Sequence, residues 1–134
     1  MSGEGTKDSP WELTTPPGKS GFLAWREPDN DPPTVKVQVG STWLRYHIQA
    51  VEDLHAMLVA HGDWMELGNK DEGKDPKEDT VEAYGRDPGN PVGGYYGIRK
   101  GYRGRFANYI TPILKVQGRV EFEKRGRGWW VRAI

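Results

Sequence analysis

The last thirty-one residues, GRFANYITPILKVQGRVEFEKRGRGWWVRAI at 104–134, decide the fold. Phe106, Tyr109, Ile110, Ile113 and Leu114 fall at helical spacing, and Gly118 is suited to the left-handed position that ends a helix. Pro112 lacks a donor N–H and crowds the carbonyl four residues back. The helix therefore either begins late, with Thr111 as cap and Pro112 in its first turn, or runs through Pro112 with a kink. Beyond it, residues 119–123 and 129–134 have strand composition, and 124–128 (K-R-G-R-G) joins them as a glycine-containing basic turn. Trp129 and Trp130 are neighbours in a strand, so they point to opposite faces.

Upstream, Val35, Val37 and Val39 alternate with Lys36 and Gln38, the pattern of a half-buried strand over 34–39. Gly40 and Ser41 suit a type II′ turn, and 42–48 is the partner strand with Leu44, Tyr46 and Ile48 on one face. Residues 21–27 form a further strand, ended by the breaker run P-D-N-D-P-P at 28–33. Val51, Leu54, His55 and Leu58 mark a helix over 51–61, with Glu52 and Asp53 in its first turn and Gly62 past its end. Residues 63–67 suit a short strand and 80–84 either a strand or one helical turn. The charged stretch 69–79 is an exposed loop, and the Gly/Pro-dense stretch 86–104 is either functional or pinned by its aromatics. The expected fold class is α+β: a small antiparallel sheet of hairpins with two main helices. Residues 1–10 are expected to be a disordered leader and 11–134 a single domain.

The 134 residues are 35% hydrophobic and 28% charged, with 18 Gly and 10 Pro, which fits one turn-rich globular domain rather than a helical bundle. Without cysteine there is neither a disulfide nor a thiolate metal site. No apolar run is long enough to span a membrane and no signal pattern opens the chain, so a cytoplasmic location is expected. The formal net charge is zero, yet residues 98–134 carry ten Lys/Arg against Glu121 and Glu123, leaving the preceding part acidic by the same amount. Such a division points to an anionic partner for the basic end, or to the acidic part folding back on it.

The basic end resembles the final third of a winged-helix domain, in which a helix enters the major groove and a hairpin touches the backbone. That resemblance makes Arg103 and Arg105, near the helix N-terminus, and Lys124, Arg125 and Arg127, on the hairpin, the expected nucleic-acid contacts. The sequence departs from the pattern where a second helix should precede the last one. Catalysis has little support. His55 and His61 lie six residues apart on one helix, not at the spacing of a metal pair, and G-G-Y-Y-G at 93–97 matches no nucleotide-binding fingerprint. No enzyme activity, metal or cofactor is expected.

The motifs P-W-E-L-T-T-P-P-G, D-L-H-A-M-L, H-G-D-W-M-E-L-G, T-V-E-A-Y-G-R, N-P-V-G-G-Y-Y-G and K-G-Y-R-G-R-F-A-N-Y resemble a family of small bacterial proteins, chiefly actinobacterial, that is a domain of unknown function. The resemblance implies one domain of this length and transfers no activity. Two readings therefore stand. One is a nucleic-acid-binding or regulatory module using the basic helix and hairpin. The other is an interaction or structural domain whose Gly/Tyr segment and tryptophans meet a protein partner. Arginines gathered on one face favour the first; arginines paired with the acidic loop at 71–79 favour the second.

Overall fold

A computed structural model of the chain describes residues 3–18 and 20–134. The first two residues of the expected leader lie outside the described residues. The elements run β1 (Trp11–Thr14), β2 (Gly21–Glu27), β3 (Thr34–Val39), β4 (Thr42–His47), α1 (Ala50–His61), β5 (Met65–Glu66), α2 (Val81–Tyr84), α3 (Phe106–Val116), β6 (Val120–Arg125) and β7 (Gly128–Ala133). Strands β1 to β4 form an antiparallel meander in chain order, and the second sheet is ordered β5-β7-β6. The fold is α+β, as the hydrophobic periodicities predict.

The meander buries one face. Trp11, Ala24, Val37 and Leu44 form one row across its four strands, with Leu13 and Phe22 beside it and Val35 and Tyr46 in the next row. All eight side chains belong to the core. Gly40 carries a positive φ of 59° at the first central position of the β3–β4 turn, which is what the type II′ form requires.

Helix α3 lies between the two sheets. Phe22 of β2 meets Tyr109 edge-on at 5.1 Å, and Phe106 stacks on Tyr96 at 5.2 Å. Eight of the helix's eleven residues are buried, from Phe106 to Leu114 with Asn108 the exception. The helix runs through Pro112 rather than starting late, while the Thr111 hydroxyl donates to the Ala107 carbonyl at 2.5 Å. A recognition helix must offer a solvent-facing side to a groove. This one is walled in by the four-stranded sheet, which a winged helix reader does not have in front of it.

Residues 3–10, expected to be a leader, form a hydrogen-bonded turn. The Ser9 carbonyl accepts from the amides of Glu4, Gly5 and Thr6, and the Arg26 amide donates to the Gly5 carbonyl at 2.9 Å. Gly5 makes this possible. It holds a φ of 80° and lies so close to the Trp11 ring that a Cβ would stand 2.3 Å from a ring carbon.

Candidate interaction site

The segment between α2 and α3 is pinned from both ends. In α2, Thr80 caps the first turn by accepting from the Ala83 amide at 3.2 Å, and this turn carries Glu82 inward. The Glu82 carboxylate is fully buried and accepts the Ala107 amide at 3.0 Å. It therefore satisfies a donor at the α3 N-terminus that Arg105, held in the left-handed region, does not cap. Burial raises the Glu82 pKa, opposed by that amide and by Arg86, whose Nε lies 3.0 Å away. The remaining Arg86 donors go to the carbonyls of Lys70, Asp71, Glu72 and Lys74, fastening the acidic loop to α2.

Arg103 donates to Glu72, and Arg105 Nε donates to Asp71 at 2.5 Å. The Arg103 guanidinium also lies 4.2 Å from the centre of the Tyr95 ring, with Arg86 5.5 Å from the same ring. Burial pushes the Glu72 carboxyl up, but hydrogen bonds from Arg103 and the Gly101 amide outweigh it and leave the pKa below the usual range. The Arg105 hydrogen bond likewise lowers Asp71. Gly104 lets the two segments close together, because a Cβ there would sit 2.3 Å from the Glu72 nitrogen. The acidic part thus folds back on the basic part, and Arg119 adds a third such pair by holding both oxygens of Glu52.

The other expected contacts do not share a face. The hairpin turn is tighter than the sequence suggests: Arg125 pairs with Gly128, so only Gly126 and Arg127 form the turn, and Lys124 and Arg125 are strand residues. They point to opposite sides of β6. Arg125 binds Glu123 at 2.8 Å and packs over Trp130 at 4.8 Å on the outer face. Lys124 shares the other face with Trp129, which packs against the core. Arg127 borders a separate cleft with Lys70, Lys77 and Asn69. The Gly/Tyr segment is pinned by an aromatic: Tyr96 is buried and donates to Asp53 at 2.9 Å.

What the pinned loops leave is a cleft of about 460 Å³ beside β4. Val39, Leu44 and Tyr109 supply its apolar wall, and Asp71, Glu72 and Arg105 its rim. Its size is that of a site for a small ligand or a few side chains. The sequence reading missed the partners that shape it. Glu82 and Arg86 carry the one available signal, a spacing of four that places opposite charges on one helix face. No local signal links Asp71 and Glu72 to arginines more than thirty residues away.

A family model described as a family of unknown function, DUF6855, matches residues 3–134. The chain belongs to that family. No curated protein and no solved structure matches it. Among the described residues of this DUF6855 chain no helix is long and apolar enough to cross a membrane, and no group of three or more His, Cys, Asp or Glu stands where it could hold a metal ion.

Proposed function

We propose that this chain is a protein-interaction domain that receives its partner at the cleft beside β4, and that it is neither a nucleic-acid reader nor an enzyme. The observation that carries this reading is the pairing of Arg103 and Arg105 with the acidic loop. The Nε atoms of Arg103 and Arg105 donate to Glu72 and Asp71, and the Ala107 amide at the start of α3 donates to Glu82. A phosphate at either arginine would compete with a carboxylate already beside it, and at the start of α3 with the buried Glu82. Lys124 and Arg127 make no ion pair among the described residues. Contacts from these two alone would contribute only about −1.8 to a salt slope on logarithmic axes.

The test compares ligand classes on the full chain. Heptapeptides selected from a random display library should bind by calorimetry with an affinity that changes little between low and physiological salt. Duplex and single-stranded oligonucleotides should not bind at low salt. Oligonucleotide binding with a steep salt slope, lost in the Arg103→Ala/Arg105→Ala variant, overturns the reading.

A further inference from the structure

Strand β4 is the last strand of its sheet, and half of its free side is already occupied. The Ile98 amide donates to the Arg45 carbonyl at 2.9 Å, and the His47 amide donates to the Tyr96 carbonyl at 2.8 Å, around the bridge between Tyr46 and Gly97. In an antiparallel ladder successive residues alternate between facing one neighbour and the other. Those two bonds therefore set the odd-numbered residues of β4 to face away from β3. The Trp43 N–H, the Trp43 carbonyl and the Arg45 N–H all point off the free side. None of them has a partner among the described residues. After Ile98 the chain turns away, with Tyr102 bonding back to Arg99, so the short ladder stops where the cleft begins.

Proteins usually blunt such an edge with a proline, a bulge or an inward-pointing charge. Residues 42–45 have no proline or bulge and one charge, Arg45 on the outer face, and the side chain that marks the free half is Trp43, 41% exposed. The two sides of this edge differ in character. Toward the core side lies the cleft, with Leu44 and Tyr109 in its wall. On the outer face Lys36 and Arg45 are register partners, Lys36 lies 4.2 Å from the Trp43 ring centre, and neither forms an ion pair among the described residues.

We propose that the free half of β4 takes an extended peptide of another protein as an added strand, its side chains alternating between apolar toward the Leu44–Tyr109 cleft and acidic toward Lys36 and Arg45. Backbone hydrogen bonds supply the affinity and the alternating side chains the specificity, the division expected of strand addition. The occupant continues the line that residues 96–98 begin. This deepens the interaction reading and rests on it.

Heptapeptides selected by display on the full chain provide the probe. Their consensus should alternate apolar and acidic residues. N-methylation at every second peptide residue should weaken binding about tenfold, while N-methylation at the intervening residues leaves it within about twofold. On the protein side, Arg45→Pro removes an N–H that the fold does not use and should abolish binding, whereas Arg45→Ala retains that N–H and should weaken binding only through lost charge. The methylation series leaves the protein unaltered, so it stands even if the proline variant misfolds. Peptides that bind without a period-two response to methylation overturn strand addition while the interaction reading survives. Association of the chain with its own copy through β4, measured by sedimentation, overturns the choice of a foreign peptide. An absence of any peptide binding together with oligonucleotide binding removes the underlying reading.

Discussion

Glu82 accepts the backbone amide of Ala107 at 3.0 Å, so the cap of the central helix is supplied by a residue twenty-five positions upstream. The same carboxylate holds Arg86, which in turn gathers four carbonyls of the acidic loop. One buried pair therefore joins α2, α3 and the loop that forms the cleft rim. Glu82→Ala leaves the buried Arg86 without its counter-charge and the Ala107 amide without its acceptor, and should cost about 3–5 kcal/mol in urea unfolding. Glu82→Gln keeps one acceptor oxygen and should cost less. A loss under about 1 kcal/mol for the alanine variant, the size of a surface pair, contradicts this role.

The rim is expected to loosen in acid. Glu72 titrates below the ordinary glutamate value because of Arg103 and the Gly101 amide, despite its burial penalty. A depressed carboxylate pKa contributes stability that is complete above the unfolded-state value and is lost as pH falls through the folded-state value. Glu82 acts in the opposite sense: its raised pKa favours the protonated form, so its share is lost as pH rises through its folded-state value. Side-chain carboxyl NMR should show the Glu72 midpoint moving upward in Arg103→Met. A midpoint that stays in place would mean the pair does not set it.

Gly104 and Gly73 offer a matched pair of substitutions. Alanine at 104 must push the Glu72 backbone away, whereas a Cβ at 73 meets nothing within 4 Å. Gly104→Ala should destabilise by about 1–3 kcal/mol, the usual range for overpacking, and weaken peptide binding at the cleft. Gly73→Ala should leave stability unchanged, and only stability is compared because Gly73 itself lines the cleft. Equal losses of stability at the two positions would show that the close approach at 104 is not what holds the rim.

Much of the scaffold is legible in the sequence. Val35, Val37 and Val39 announce β3, Gly40 announces its turn, and the apolar stripe from Phe106 to Leu114 announces α3, because each pattern is local. The site is less legible because its determinants are not. Arg103 and Arg105 read as free cations until the fold brings Glu72 and Asp71 to them, and the α3 N-terminus reads as an anion site until Glu82 occupies it. Lys124 and Arg125 read as turn residues because the Gly-Arg-Gly run looks loose, yet pairing with Trp129 and Gly128 extends the strand through them. Trp43 gave no signal at all. Its significance depends on where residues 96–98 stop along β4.

Amide hydrogen exchange at Trp43 and Arg45, measured on the free chain and with a selected heptapeptide bound, tests the open edge most directly. Both amides should exchange fast in the free chain while Leu44 and Tyr46 exchange slowly, and Trp43 and Arg45 should become protected when the peptide binds. Slow exchange at Trp43 in the free chain, or peptide binding that leaves both amides exchanging fast, contradicts the open edge.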